Sequence, residues 1–323
     1  MDNIIVSAPG KLMLFGEHAV VYNHPCLVTA VDQRIRLTAE ILDEQNFELE
    51  AEDVDVSGYS KPLSDLGKGE IPKGAQFVEI AVKNLYEKFG LDKGLRVTTT
   101  SEFSSKFGFG SSSASTVCVV KALSELFSLN LSNKEIFDIA YKTVLDIQGK
   151  GSGFDVAAAI WGGTIYFLTG GKTIQPLAID HLPLIVGYSG IKADTVILIN
   201  KVKEKFAKNQ TRLDEIYKKI EAIVEKSKTF IVSSNWEEAG KLMTENQKLL
   251  GELGVSIDKL DNMIEAVLVK GAYGAKLSGA GGGDCMIALS PDGKKGDIEK
   301  GIGKAGGEVI SVVTNAEGVR IEK

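Results

Sequence analysis

The hydrophobic and polar positions at the start of the chain follow the pattern of β-strands. Short apolar runs lie on either side of Pro9 and Gly10 in NIIVSAPGKLMLFGEHAVVY (3–22), which predicts two strands joined by a tight turn. The same pattern continues in VTAVDQRIRLTAEI (28–41), whereas residues 42–74 are polar and are expected to be irregular. The N-terminal region is therefore predicted to form a sheet.

The middle of the chain changes to the 3.6-residue period of α-helices. A helix is predicted in QFVEIAVKNLYEKFG, ending at Gly90, and a strand follows in LRVTTTSEF. After the glycine-rich sequence FGFGSSSAS (107–115), the apolar stretch TVCVVKALSELFSL predicts a buried helix. Ser132 and Glu135 have the spacing of a capping box and begin a further helix that ends near Gly149. A second glycine-rich turn, GKGSGFD, leads through VAAAIWGGTIYF into a strand.

A helix-rich half is predicted to begin near residue 181. The apolar stretch LPLIVGYSG is followed by a long amphipathic helix, roughly 208–232, and by helices in NWEEAGKLMTENQKLL and SIDKLDNMIEAVLVKG. The half closes with strands in AKLSGAGGGDCMIALS and EVISVVTNAEGVRIE. We therefore expect two domains, residues 1–180 and residues 181–323.

Composition and charge narrow the class of protein. The chain has 323 residues, of which 44% are hydrophobic and 25% charged, as in ordinary globular proteins long enough for two domains that share a cleft. The formal net charge of −6 argues against a nucleic-acid partner, because phosphate backbones are bound by an excess of Lys and Arg. An anionic substrate would need local cations instead.

The chain has three cysteines and three histidines, at Cys26, Cys118, Cys285, His18, His24 and His181. The absence of CxxC fits a reducing compartment without a disulfide framework, and the histidine spacing does not predict a zinc site. No apolar run reaches the ~18 residues of a membrane span, and the start lacks the apolar core of a signal peptide. We expect a cytoplasmic protein without a membrane partner.

The candidate functional segments are three glycine-rich stretches, at 108–113, 149–153 and 279–283. A Gly/Ser loop between a strand and a helix lets the backbone approach an anion, and the N–H groups of the first helical turn then point at it. Each segment alone could be a turn with positive φ and a serine cap. Three together favour a nucleotide phosphate. The motifs GxxxxGK[ST] and GxGxxG are absent at strand-to-helix turns, which disfavours P-loop and dinucleotide folds.

Three ordered motifs resemble those of the GHMP kinases, a family that includes galactokinase, homoserine kinase, mevalonate kinase and phosphomevalonate kinase. They are APGKLMLFGEHAVVY near the start, GFGSSSAS in the middle and KLSGAGGGDC near the end, and they span nearly the whole chain. The resemblance implies an α+β fold of two domains. The N-terminal, ATP-binding domain would be like domain 2 of ribosomal protein S5, and the C-terminal domain would be ferredoxin-like. ATP, Mg²⁺ and the acceptor would meet in the cleft.

The resemblance also implies roles for the motif residues. The phosphate loop is matched by Gly108, Gly110, Ser111, Ser112 and Ser113, and Ser112 is matched to the serine that helps hold Mg²⁺. The catalytic aspartate is matched by Asp155 and the lysine beside it by Lys11. The residues matched to the acceptor side are Glu17, His18, Gly279, Ala280, Gly281 and Gly282, with Gly283 completing the third motif.

Elementary chemistry supports the catalytic pair. Phosphoryl transfer needs a carboxylate near the acceptor hydroxyl and cations that neutralise the charge on the transferred group, and a lysine also keeps that carboxylate ionised. Without the motifs, Asp155 would be interpreted as a helix cap, Lys11 as a solvated lysine and His18 as a core or turn histidine.

Within the family, the residues favour the C5 hydroxyl of mevalonate as the acceptor. The sequence GEHAVVY lacks the Thr/Asn-Asp-Tyr of the sugar kinases, and residues 240–283 resemble those of mevalonate kinases. Lys106, the sequence GSGFDVAAA and the aspartate in GAGGGDC resemble phosphomevalonate kinases, so mevalonate 5-phosphate is the alternative acceptor. Lys106, Lys150 and Lys192 are then the candidates to bind its phosphate, and without that acceptor each would be interpreted as a solvated surface lysine. A non-catalytic nucleotide-binding relative is a third hypothesis, and a homodimer is a candidate assembly.

The chain departs from the family pattern at the metal. Val144 stands where mevalonate kinases carry a magnesium-binding glutamate, eleven residues before Asp155. Asp146 is two positions further on, which rotates it roughly 200° around a helix. The sequence therefore predicts that Mg²⁺ is held by Ser112, phosphates, water and another carboxylate. Ser104 and Phe109 replace a proline and a leucine of the family, and we expect both changes to be tolerated.

Overall fold

The computed structural model describes residues 3–322 as two β-sheets with helices packed on both. The strands are β1 (Asn3–Phe15), β2 (Pro25–Leu42), β3 (Asn46–Ala51), β4 (Val56–Pro62), β5 (Gly94–Ser101), β6 (Thr164–Leu168), β7 (Thr173–Leu177), β8 (Leu184–Tyr188), β9 (Gly274–Ser278), β10 (Cys285–Leu289), β11 (Glu308–Ile310) and β12 (Arg320–Ile321). The α-helices are α1 (Gln76–Phe89), α2 (Ser111–Leu126), α3 (Asn133–Gln148), α4 (Phe154–Trp161), α5 (Thr195–Lys205), α6 (Gln210–Val232), α7 (Trp236–Leu253), α8 (Asp258–Val269) and α9 (Lys295–Lys304).

The first sheet has the strand order β12-β1-β2-β5-β3-β4, and β6 and β7 extend it from β2. Strand β2 is 18 residues long, so it pairs with β6 through residues 25–29 and with β5 through residues 35–42. Helices α2 and α4 pack on β1 and β2, and α1 and α3 pack on α2. The core of this half lies between the sheet and these helices, and it holds the N-terminus of α2 against β1.

The second sheet is antiparallel, with the order β11-β8-β10-β9. Counted from β8, this is the order 4-1-3-2 of a ferredoxin-like sheet. Helices α8 and α9 pack on it, and α7 covers its edge strand β9, where the Gln247 side chain accepts the N–H of Leu277 at 3.0 Å. The predicted α+β class of the two-domain kinase fold is confirmed.

Two predictions about the N-terminal strands are wrong. The segment with Pro9 and Gly10 is not a turn: β1 runs through it, and a β-bulge shifts its register against β2. A proline has no N–H to donate to the ladder, and a bulge is one of the few places in a sheet that accommodate it. The polar segment 42–74 is not irregular, because β3 and β4 lie within it.

The end of the chain returns to the first sheet. Residues 311–322, here called the return segment, run across β2 and end in β12 beside β1. The buried Arg34 guanidinium donates to the carbonyl oxygens of Ser7, Glu317 and Gly318. We propose that the domains divide between residues 180 and 181, with the return segment joining the second to the first. Within residues 3–322, no helix is both long and apolar enough to cross a membrane.

Candidate active site

The glycine loop before α2 is built to expose backbone N–H groups. Gly108 and Gly110 have φ of 72° and 79°, and Gly110 caps the helix, which begins at Ser111. The three serines are therefore the first turn of α2 rather than a loop before it. The buried Phe109 ring packs against Phe103 and Phe107, each with a centroid distance of 5.6 Å, which anchors the loop. A helix N-terminus held in this way is suited to a phosphate.

The hydroxyl groups of this first turn have different environments. Ser113 is buried, and its Oγ donates to Oδ2 of Asp155 at 2.7 Å. The hydroxyls of Ser115 and Thr116 donate back to helix carbonyls. Over the described residues 3–322, Ser111 and Ser112 are half-buried and their hydroxyls have no hydrogen-bond partner. The two serines are thus available to a ligand, whereas Ser113, predicted in the phosphate loop, orients Asp155.

Lys11 follows the bulge in β1 and is buried, with 8% of its surface exposed. Its backbone N–H donates to the Phe109 carbonyl at 2.9 Å, and its Nζ donates to the Gly108 carbonyl at 2.7 Å. Burial lowers the pKa of Lys11, and the charges of Asp155 and Asp284 oppose that shift. Lys11 therefore holds the glycine loop through two hydrogen bonds, and the charges of Asp155 and Asp284 favour its protonated form.

Asp155 lies in the first turn of α4, a helix that the sequence analysis did not predict. Gly153 caps the N-terminus of the helix with a φ of 90°, and an added Cβ there would lie 2.9 Å from the Tyr141 ring. An added Cβ at Gly110 would lie 3.1 Å from Lys11 Cε and 3.7 Å from Asp155 Cβ. The structure thus brings both predicted catalytic side chains to the N-terminus of α2.

Glu17 and Lys276 form an ion pair that joins the end of β1 to β9, and both side chains are fully buried. Burial raises the pKa of Glu17 and lowers that of Lys276, and each charge opposes the shift of the other. Glu17, predicted on the acceptor side, is thus committed to a protein partner. The sequence analysis missed Lys276, because a lysine in a glycine-rich motif is normally solvated.

His18 occupies a strained turn. Its φ of 59° and ψ of −48° close a γ-turn in which the Ala19 N–H donates to the Glu17 carbonyl at 2.6 Å. The His18 Nε2 lies 2.8 Å from the Ala280 carbonyl, which can only accept, so Nε2 carries the proton. Burial lowers the pKa of His18, so the ring is neutral. Its Nδ1 is a buried acceptor without a partner among the described residues. The strained backbone of the turn and this unpaired nitrogen together indicate a functional role for His18.

The third glycine motif packs mostly against the protein. A Cβ added at Gly281 would lie 2.2 Å from the Val255 carbonyl oxygen, and one at Gly282 would lie 2.9 Å from Leu198. Gly279 has nothing within 4 Å on that side and faces open space. Gly279 is half-buried, and the carbonyl of Ala280 accepts the hydrogen bond from His18. Gly281 and Gly282 pack against Val255 and Leu198 and so fix the position of the motif.

The side chains present limit how Mg²⁺ could be held. In the part of the chain that the structure describes, no group of three or more His, Cys, Asp or Glu side chains is arranged to hold a metal. Val144 is buried, and Asp146 faces Asn84 and Lys142, as its rotation predicts. Mg²⁺ usually takes one or two protein oxygens and completes its shell with phosphates and water. The Ser112 hydroxyl, which has no hydrogen-bond partner among the described residues, fits the role of one such protein oxygen.

The fold and the loop define a class of two-domain kinases, and comparison with known proteins agrees. A family model described as GHMP kinases N terminal domain matches residues 76–163, and one described as GHMP kinases C terminal matches residues 220–306. A mevalonate kinase of Pyrococcus abyssi is 35% identical and covers 99% of this chain and 98% of its own length. The chain belongs to the GHMP kinase family, as its motifs predicted.

Solved structures support the same relationship. The crystal structure of the Methanococcus jannaschii mevalonate kinase is 27% identical, with a TM-score of 0.81, and the match covers 96% of this chain and 98% of that one. The crystal structure of L. major mevalonate kinase in complex with R-mevalonate is 25% identical, with a TM-score of 0.79, and the match covers 96% and 95%. The likeness therefore extends over both sheets.

Proposed function

We propose that the protein transfers the terminal phosphoryl group of ATP to the C5 hydroxyl of mevalonate. The observation that carries this proposal is the meeting of Lys11 and Asp155 at the N-terminus of α2, beside two free hydroxyls. The names of the full-length relatives support mevalonate as the acceptor. The candidate lysines for the phosphate of mevalonate 5-phosphate, Lys106, Lys150 and Lys192, are all exposed, which makes a dedicated site for that phosphate less favoured.

The chain's own residues account for the transfer. Backbone N–H groups of the first turn of α2, with the hydroxyls of Ser111 and Ser112, bind the phosphates. The Ser112 hydroxyl would help to hold Mg²⁺, which would supply positive charge against the nucleotide phosphates. Asp155 accepts the proton of the C5 hydroxyl as the C5 oxygen bonds to the γ-phosphorus. The bond from that phosphorus to the bridging oxygen breaks, ADP leaves, and Lys11 neutralises the charge on the transferred group.

The proposed acceptor is tested by comparing two substrates. A coupled assay of ADP release with mevalonate and with mevalonate 5-phosphate, run side by side, measures kcat/KM for each. We expect mevalonate to be used more efficiently. A preference of about tenfold or more for mevalonate 5-phosphate, a difference of about 1.4 kcal/mol, would overturn the proposal and make the exposed lysines the residues to test.

His18 is expected to bind a hydroxyl of mevalonate rather than its carboxylate, because a neutral ring with a free Nδ1 can only accept there. His18→Ala should raise KM for mevalonate by an amount worth about 1–3 kcal/mol and leave kcat nearly unchanged, since a ground-state contact is lost. Steady-state kinetics at saturating ATP measures both constants. The matched control is His24→Ala, which removes the hydrogen bond between the His24 Nδ1 and the Glu221 carboxylate at 2.6 Å. An unchanged KM in the His18 variant would contradict the role.

The serines of α2 are expected to differ in what their removal changes. Ser112→Ala removes a free oxygen and should raise the Mg²⁺ concentration needed for half-maximal rate. Ser113→Ala removes the donor to Asp155 and should lower kcat without changing that requirement. Magnesium titrations of the rate separate the two effects. The same Mg²⁺ dependence in the Ser112 variant and the unchanged protein would speak against a metal role for Ser112.

A further inference from the structure

Asp284 lies directly behind the phosphate loop, at the end of the third glycine-rich segment. Its Oδ1 accepts the N–H of Ala193 at 2.9 Å. Its Oδ2 faces Gly108, where an added Cβ would lie only 2.5 Å away. The carboxylate thus packs against the same glycine whose carbonyl binds the Lys11 ammonium. Asp284 therefore connects the phosphate loop to the segment that leads into α5.

Against the lowering by burial, the pKa of Lys11 is raised by four groups from three segments of the chain, and they are Asp155, Asp284, Cys285 and Glu17. Glu17 is already paired with the buried ammonium of Lys276. The Cys285 thiol donates to the Phe107 carbonyl at 3.3 Å, and burial raises its pKa, so it carries no charge near neutral pH. Asp155 and Asp284 are therefore the two effective anions beside Lys11.

These two anions behave differently during the reaction. Asp155 accepts the proton of the acceptor hydroxyl, so its negative charge disappears at the step in which Lys11 must be cationic. A buried ammonium without a counter-ion loses its proton readily. Asp284 contacts the loop rather than the transferred proton, so its charge persists through the step.

We propose that Asp284 is a positioning residue for phosphoryl transfer, which keeps Lys11 cationic and the phosphate loop in place while Asp155 holds the acceptor proton. The inference rests on the roles proposed for Lys11 and Asp155. Asp284 has a φ of 54°, in the left-handed region that few side chains adopt. Burial raises the pKa of Asp284, and the exposed Lys192, with Lys11 and the Ala193 N–H, opposes that shift.

The test replaces Asp284 by asparagine, which keeps an acceptor for Ala193 and removes the charge. The rate needs protonated Lys11, so it falls as pH rises through the pKa of Lys11. Removing an anion lowers that pKa, so the alkaline limb of kcat against pH should move to lower pH by about one unit. Thermal unfolding is measured in parallel, because a merely structural role would change the melting temperature and leave the limb in place.

Two further variants make the outcome decisive. Asp32→Asn removes another aspartate that accepts a backbone N–H, from Val313 at 2.7 Å, and should leave the alkaline limb unchanged. Asp284→Gly adopts the positive φ without strain, so it carries the same expectation if the asparagine variant does not fold. An alkaline limb unchanged in the folded Asp284 variants overturns the proposal. Failure of the proposed function would look different, because the unchanged protein would then not turn over mevalonate with ATP.

Discussion

Asp155→Asn is expected to lower kcat by about 10²–10⁴-fold, because the carboxylate that accepts the proton of the acceptor hydroxyl is lost. Nucleotide affinity should survive, since Asp155 is held by Ser113 and lies beside the phosphate loop rather than in it. Steady-state kinetics gives kcat, and calorimetric titration with ADP gives the affinity. The asparagine keeps the size of the side chain, so the fold is not expected to change.

The control for this variant is Asp146→Asn. Asp146 lies on the preceding helix, α3, and its carboxylate faces Lys142 and Asn84 rather than the site. Its replacement should leave kcat close to that of the unchanged protein. If Asp155→Asn retained turnover within a fewfold, the carboxylate would not be the base, and the assignment of the catalytic pair would fall.

Lys276→Met is expected to destabilise the fold by about 3–5 kcal/mol, because it leaves the Glu17 carboxylate buried without its cation. Urea unfolding followed by circular dichroism measures the change in the free energy of unfolding. The loss should also disturb the turn at His18, which follows Glu17 directly, so KM for mevalonate should rise in the fraction that folds.

Lys241→Met is the matched control for the buried pair. Lys241 contacts Glu237 and Glu238 on the surface of α7, where ion pairs contribute about 0–1 kcal/mol. The double variant Glu17→Gln with Lys276→Met should recover part of the lost stability, since no unpaired charge remains. Equal stability of the two lysine variants would show that the buried pair does not hold the two sheets together.

Helices with local sequence signals could be predicted closely. Helix α3 begins at the predicted capping box, in which Ser132 and Glu135 each bond the backbone of the other. Helix α1 ends at Gly90, which has the φ of 64° that a glycine stop favours. These features depend on residues a few positions apart, so a sequence displays them directly.

Elements that depend on distant partners were harder to predict. Strand β4 is exposed along most of its length, so its sequence shows no strand period, and its pairing with β3 decides its structure. Helix α4 is apolar apart from Asp155, which removes the amphipathic pattern by which a helix is identified. Pro9 and Gly10 indicated a turn because the bulge that holds them is defined by β2.

The residues of the site also fall into those that sequence motifs predicted and those that depend on distant partners. The structure brings Lys11, the glycine loop and Asp155 together where the motifs placed them, and their roles stay predictions. The partner of Glu17 is 259 positions away along the chain, a separation that no spacing rule covers. In the sequence, Asp284 was the aspartate of GAGGGDC that resembles phosphomevalonate kinases, and its contact with Gly108 becomes visible only when the two segments are packed.

The return segment has a consequence for synthesis on the ribosome. Strand β12 supplies the partner of β1 at Val6 and Ser7, and the Glu322 N–H donates to the Ile5 carbonyl at 2.8 Å. These residues are translated after every strand of the second sheet. The β1 edge of this sheet therefore stays unpaired until β12 has been translated, long after β1 itself and after every strand of the second sheet.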